Sequence, residues 1–275
     1  MRSRESLPRL ADLRLFDLSV LVGRLFQAGA RVSLTEDNLL SVLDRHSIAE
    51  ALITSNLARL HLPHPPGNQW TVEFCRRLGP RVHPVWVLEP PRQPGRARAR
   101  EAVAELREAG ARVVRLLMGP GATAPLLWCW EELLAELETH RLPCLLDFGS
   151  CTYFNNSTAS VPTDAEVDHL RQLVLAFPDL PFILCHASGG LGLPRTVLPL
   201  MHRAPNLHLD ITGIIEYWRT VVEELGPERV FFATGMPYYD PAIFTGNLLY
   251  EPGLSPAARQ AMAGDNLRRL MEAVR

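Results

Sequence analysis

The amino-acid sequence predicts a single (β/α)8 barrel, a TIM barrel that spans residues 1–275 as one domain. Eight short runs are nearly continuous in apolar residues, as strands buried on both faces are. Amphipathic segments of helical period separate these runs, and no linker, low-complexity stretch or internal repeat divides the chain. The predicted strands are 15–20, 51–55, 82–88, 113–118, 144–148, 182–186, 207–210 and 230–234.

The segments between the strands carry helix signals. Thr35 and Thr163 each precede acidic residues in a pattern that begins a helix, and Gly110 and Pro143 fall where a helix ends. An open doubly wound sheet is the alternative, but the first strand is followed by Leu-Val-Gly-Arg and not by a glycine-rich turn. The predicted helices are 36–44, 70–78, 98–109, 128–140, 164–176, 195–203, 216–225, 256–262 and 265–274.

Composition excludes several classes of function. The 28 basic residues are all Arg and balance 30 acidic residues, which argues against nucleic acid or an anionic membrane as a partner. The absence of Lys excludes Schiff-base chemistry, a lysine-anchored pyridoxal site, a phosphate-loop lysine and a carbamylated lysine between two metals. Five Cys form no Cys-x-x-Cys pair, and no run approaches the ~20 apolar residues of a membrane span. We therefore expect a cytoplasmic protein with reduced thiols.

Functional side chains of such barrels project from the carboxyl ends of the strands. Asp147 and His186 end consecutive predicted strands, where a carboxylate can orient an imidazole for proton transfer. The sequence predicts these two as the catalytic acid–base centre; the alternative is that they only fill the barrel mouth. Cys185, next to His186, is predicted to face the helices. The predicted substrate-binding residues are Ser19, Asn56, Arg115, Asp210 and Tyr217.

Eight segments, taken in order, resemble the amidohydrolase-related family, a group of metal-dependent barrel hydrolases and decarboxylases. They begin with Phe-Asp-Leu-Ser-Val-Leu-Val-Gly at 16–23 and end with Gly-Asp-Asn-Leu-Arg-Arg-Leu at 264–270. Between them lie Gly-Asn at 67–68, His-Pro-Val-Trp-Val-Leu-Glu-Pro at 83–90, Leu-Pro-Cys-Leu-Leu-Asp at 142–147, Leu-Cys-His-Ala-Ser-Gly-Gly at 184–190, Asn-Leu-His-Leu-Asp at 206–210 and Phe-Ala-Thr-Gly-Met-Pro at 232–237. The resemblance covers nearly the whole chain and implies the same barrel.

The resemblance also implies a metal site from which this sequence departs. Ser19 and Leu21 stand where the family has a His-x-His pair, and Asp147 stands where it has a strand-five His. His186 matches the strand-six His, whereas Gly235 replaces the strand-eight Asp. We therefore expect a degenerate metal site and no cofactor. The alternative is one divalent ion, zinc or manganese, held by Asp147, His186 and Asp210.

Two functions remain open from the sequence. The first is a hydrolase or decarboxylase (a lyase) that acts on a small, carboxylated or cyclic molecule through Asp147 and His186. The second is an inactive member of the fold that binds a metabolite or a partner protein, because the metal-activating residues are missing. A small-molecule ligand is expected in both. We expect apolar side chains to be exposed near Trp218, Tyr238 and Tyr239. Such exposure makes a homodimer a possible assembly.

Overall fold

The computed structural model describes residues 9–23, 33–60, 64–91, 93, 95–118, 126–147, 164–185, 197–212 and 217–275. Eight parallel strands pair in sequence order, so that each lies beside the next one in the chain. They are β1 (Leu15–Val22), β2 (Ile48–Ser55), β3 (Val82–Leu88), β4 (Val113–Leu117), β5 (Cys144–Asp147), β6 (Phe182–Leu184), β7 (Leu207–Asp210) and β8 (Val230–Phe231). The strands alternate with helices, which confirms the predicted (β/α)8 barrel.

Each predicted helix is present; the helix at 164–176 has the predicted bounds, and the others are shifted at one end or both. The helices are α1 (Leu39–Arg45), α2 (Asn56–Leu60), α3 (Pro65–Leu78), α4 (Arg96–Glu108), α5 (Leu127–Thr139), α6 (Asp164–Ala176), α7 (Val197–Arg203), α8 (Tyr217–Leu225), α9 (Pro241–Tyr250), α10 (Pro256–Gln260) and α11 (Asn266–Glu272). Sequence periodicity missed α2, which is a single turn, and α9, which is apolar on more than one face. Periodicity also placed the start of α3 five residues too late. The helix begins at Pro65, since proline is well suited to the first turn of a helix.

Backbone and side-chain hydrogen bonds join the last strand to the first. The N–H of Leu21 donates to the carbonyl of Met236 over 2.8 Å. The buried Asp17 carboxylate accepts from the backbone N–H groups of Ser19 and Thr234, both over 3.0 Å. Since β8 is only two residues long, these contacts replace the missing ladder between β8 and β1.

Side chains fill the barrel interior below its carboxyl end. The cluster contains Phe16, Leu18, Leu52, Val85, Val113, Leu145, Ile183, Cys185, Phe231 and Ala233. Cys185 therefore faces the interior, and the prediction that it faces the helices is wrong. Phe182 and Leu184 pack on the helices instead, so the alternation along β6 places the odd-numbered residues inside.

The amino end of the barrel is held by three partly exposed polar side chains, which we name the lower network: Glu50, His83 and Arg268. Arg268 donates to Glu50 from Nε over 2.9 Å and from Nη2 over 2.7 Å. His83 Nε2 lies 3.2 Å from the other oxygen of Glu50. The hydrogen bond from His83, and then those from Arg268, lower the pKa of Glu50 to about 2, while partial burial opposes them.

The described surface bears on two expectations about partners. Trp218 is buried, so the expectation that it is exposed, which favoured a homodimer, is wrong. Tyr238 and Tyr239 are half-buried. Large apolar side chains are exposed instead at Trp128 and Tyr250. Among the described helices, none combines the length and hydropathy needed to cross a bilayer.

Candidate functional site

Asp147, at the carboxyl end of β5, is bound by two arginines at the centre of the barrel mouth. Its Oδ2 accepts a hydrogen bond from Arg59 Nε and another from Arg115 Nη1, each over 2.8 Å. Its Oδ1 accepts a third from Arg59 Nη2 over 3.3 Å. The side chains of Asp147 and Arg115 are 0% exposed and that of Arg59 is 5% exposed. The three groups carry a formal charge of +1.

Arg115 reaches across the barrel from β4. Its Nη1 binds Asp147 on β5, and its Nη2 donates to Ser19 Oγ on β1 over 2.9 Å. The Nε–H of the same guanidinium is buried and has no acceptor in the described part of the chain. An unsatisfied donor on a buried cation is costly, so Arg115 marks a place where an anionic ligand is favoured. We name Ser19, Arg59, Arg115 and Asp147 the upper network.

Arg59 lies on α2, the one-turn helix that follows β2. Ser55 Oγ accepts from the N–H of Ala58 over 3.0 Å and donates to the carbonyl of Gly67 over 3.1 Å, which ties α2 to α3. A Cβ on Gly67 would lie 2.3 Å from the Ala58 nitrogen, so only glycine permits this approach. Arg59 was not among the residues predicted from the sequence, where its one signal is its position three residues beyond Asn56.

Two further polar side chains lie at the end of β2. Thr54 alternates with the outward-facing Ile53 and therefore faces the barrel interior, and Asn56 is the first residue of α2, directly after the strand. Neither the Thr54 hydroxyl nor either polar atom of the Asn56 amide has a partner among the described residues, although both side chains are buried. Buried polar groups in native proteins are nearly always satisfied, so these atoms favour contact with bound water or a ligand.

The remaining predicted site residues are Asp210, Tyr217 and His186. Asp210 ends β7, and its Oδ1 accepts from the N–H of Thr212 over 3.0 Å and from its hydroxyl over 2.7 Å, which holds the turn after the strand. Tyr217 begins α8, but its side chain lies outside the described part of the structure. His186 lies outside it as well. The predicted pairing of Asp147 with His186 therefore stays a prediction.

The residues around Asp147 fit a divalent metal poorly. At an effective dielectric constant of about 20, a carboxylate attracts a divalent ion by about 13 kcal/mol at ~2.5 Å. Two guanidinium charges ~5 Å away together repel it by about the same amount. At distances of this order the two arginines offset most of the attraction of Asp147 for such an ion. Among the described residues, no group of three or more His, Cys, Asp and Glu side chains is placed to hold a metal.

A cavity of about 560 Å³ lies outside the barrel wall, between β3, α3 and α4. Its wall includes Trp86 and Leu88 on the outward face of β3 and Glu89 just beyond that strand. His64 Nε2 lies 3.4 Å from Glu89 Oε2 at its edge. In the described structure the upper network does not line this cavity, so the cavity is separate from that network.

Comparison with known proteins gives the family. The amidohydrolase family model matches residues 61–271, and the chain therefore belongs to that family. This confirms the resemblance seen in the sequence. A comparison with curated proteins gave no significant match.

Solved structures with the same fold include three that share 14–16% of their sequence with this chain and whose alignments cover 94% of it. An uncharacterised TIM-barrel protein from Bordetella bronchiseptica has a TM-score of 0.71 with 98% of its own chain covered. 5-Carboxyvanillate decarboxylase from Sphingomonas paucimobilis has 0.69 with 99% covered. Dihydroxybenzoic acid decarboxylase from Polaromonas sp. JS666, with bound manganese and 2-nitroresorcinol, has 0.70 with 96% covered.

Proposed function

We propose that the protein is an enzyme of hydrolase or decarboxylase type that acts on a small carboxylated molecule, with the carboxylate held at the upper network. The observation that carries the proposal is the excess positive charge there: two guanidinium groups share the single carboxylate of Asp147. Arginine is the side chain best suited to binding a planar carboxylate. The two decarboxylases with this fold have carboxylic acids in their names, which agrees with this ligand class.

Polar side chains around the arginines would orient the ligand. Asn56 and Thr54 supply buried polar atoms that have no partner in the described structure, and Ser19 fixes one edge of Arg115. In the proposal these groups contact the ring or chain that bears the carboxylate, and Asp210 and Tyr217 contribute from the β7 side. Holding a reactant in one orientation accounts for a large share of enzymatic rate.

Proton transfer is assigned to the Asp147 and His186 centre. Both oxygens of Asp147 already accept hydrogen bonds from guanidinium groups, so we give Asp147 the task of positioning and His186 that of moving the proton. In a decarboxylation, the bond from carbon to the carboxylate breaks, CO2 leaves, and the proton from His186 adds to that carbon. In a hydrolysis, His186 would instead take a proton from the water that attacks the scissile carbon; the bond from that carbon to the leaving group breaks, and His186 returns the proton to the leaving group.

Replacing His186 by Ala tests this assignment. A panel of aromatic and aliphatic carboxylic acids is first assayed with the wild-type protein for CO2 release and for hydrolysis. We expect His186→Ala to lower turnover of any substrate found by at least about 100-fold, the usual range for removing a general acid or base. His202→Ala is the matched control, because His202 is an exposed side chain paired with Glu224. Equal turnover by both variants would remove His186 from the mechanism.

A second function, ligand binding without catalysis, is favoured by the same saturation of Asp147. If the two arginines occupy that carboxylate permanently, Asp147 is not available to orient His186, and the mouth can bind an anion without a working base. This alternative predicts carboxylate binding by the wild-type protein, no turnover on the whole panel, and unchanged binding in His186→Ala. Isothermal titration alongside the turnover assay separates the two functions.

A further inference from the structure

We propose that the guanidinium of Arg115 is the fixed cation of the barrel mouth and stands in place of a divalent metal. This goes beyond the proposed function, because it concerns the source of positive charge and not the identity of the ligand. The Polaromonas decarboxylase with this fold contains manganese, so a metal is the alternative source of that charge.

Arg115 has the position that such a cation needs. It is fully buried, and it joins side chains on non-adjacent strands, Ser19 on β1 and Asp147 on β5. The side chain of Arg115 extends from β4, a strand that is hydrogen-bonded to β5 but not to β1. The guanidinium therefore spans the barrel mouth and does not lie along one wall.

The hydrogen bonds around Asp147 support the same conclusion. Oδ2 accepts from both Arg115 and Arg59 at 2.8 Å, and Oδ1 accepts from Arg59 at 3.3 Å. A metal at either oxygen would compete with these charge-assisted hydrogen bonds for the carboxylate and would lie beside two like charges. The presence of Arg115 therefore disfavours a divalent ion at Asp147.

The unused Nε–H of Arg115 gives this cation a second function. Two of its three nitrogens hold the fixed partners Asp147 and Ser19, while the third is buried and has no acceptor in the described structure. A metal would present an open coordination position to a ligand oxygen; here Nε–H is the equivalent open position. An oxyanion is the group that such a donor favours.

The first test measures metal uptake by the intact protein and needs no variant. Untagged wild-type protein, freed of metal by dialysis against a chelator, is titrated with Mn²⁺, and free Mn²⁺ is followed by electron paramagnetic resonance. We expect less than a tenth of an equivalent of Mn²⁺ to be bound. Uptake of about one equivalent that is lost in Asp147→Asn would overturn the proposal.

The second test is a chemical rescue, which asks whether an added cation restores stability to the variant Arg115→Ala. Arg115→Ala leaves Asp147 paired with Arg59 and opens a space the size of the lost side chain. Guanidinium chloride at a concentration well below the denaturing range should raise the Tm of Arg115→Ala, and urea at the same concentration should not, because urea has the same shape without the charge. Arg268→Ala, which removes an arginine of the lower network, should show no such rise.

These outcomes test the proposal about Arg115 independently of the proposed enzymatic function. A Tm rise with guanidinium that urea does not give, together with no Mn²⁺ uptake, supports a guanidinium cation even if no carboxylic acid is found to bind. No difference between guanidinium and urea on Arg115→Ala contradicts it, even if carboxylic acids do bind. If Arg115→Ala fails to fold, the Mn²⁺ titration of the wild-type protein still decides.

Discussion

The two ends of the barrel each bind a carboxylate with arginine, and they do so in different surroundings. At the lower network, Glu50, His83 and Arg268 are 19–29% exposed, so water shares in their solvation. At the upper network, Arg59, Arg115 and Asp147 are at most 5% exposed, and one of the donors of Arg115 has no acceptor in the described structure.

The difference separates stability from function. A partly exposed network with paired charges contributes modestly to the free energy of folding. Because its charges already have partners, it does not favour a bound ligand. A buried network with surplus charge is costly to assemble, and an anionic ligand would satisfy its unused donor. This agrees with the general division of (β/α)8 barrels, in which the carboxyl end carries the chemistry and the amino end carries stability.

The largest expected effect on stability comes from removing Asp147, the carboxylate of the upper network. Asp147→Ala leaves two buried guanidinium groups without their shared carboxylate, so we expect it to lower the free energy of unfolding by about 3–5 kcal/mol. Urea denaturation measures the loss. Glu50→Ala is the control and should cost only about 1 kcal/mol. Equal losses in the two variants would contradict the difference in burial cost between the ends.

A smaller effect is expected where the packing of α2 sets the position of Arg59. Gly67→Ala adds a Cβ that would lie 2.3 Å from the Ala58 nitrogen, so α2 must move. We expect a loss of about 1–3 kcal/mol in the free energy of unfolding, as for other overpacked sites. Carboxylate affinity should fall as well, because Arg59 moves with its helix. Gly246→Ala is the control, since a Cβ there meets no atom within 4 Å. Unchanged affinity in Gly67→Ala would separate Arg59 from the ligand.

The smallest effect is a pH dependence at the lower network. The pKa of Glu50 is lowered from 4.5 to about 2 in the folded protein, chiefly by the hydrogen bond from His83. Its contribution to stability is therefore complete above pH 4.5 and is lost as the pH falls through about 2. We expect the stability difference between wild type and Glu50→Gln, about 1 kcal/mol near pH 6, to shrink on acidification. Urea titrations at several pH values measure it, and a constant difference would contradict the assignment.

Much of the fold could be read from the sequence, because strands buried on both faces leave continuous apolar runs. The rule that functional side chains lie toward the carboxyl ends of barrel strands also identified Asp147 and Arg115 as site residues. Arg59, the remaining charged member of the upper network, was not predictable in this way. Arg59 meets Asp147 across 88 residues, and the contact depends on a one-turn helix packed against Gly67, which no local pattern encodes. Cys185 was misplaced because its direction was inferred from His186 and not from the residues that precede it in β6.

The most direct test of the account is a calorimetric titration with benzoate of two matched variants, Arg115→Met and Arg268→Met. Each removes one arginine that binds a carboxylate, one from the upper and one from the lower network. A charge-assisted hydrogen bond is worth about 1.5–3 kcal/mol, so Arg115→Met should weaken benzoate binding by about ten- to a hundredfold relative to wild type. Arg268→Met should bind benzoate as wild type does. Equal benzoate affinity in the two variants would contradict the assignment of ligand binding to the upper network.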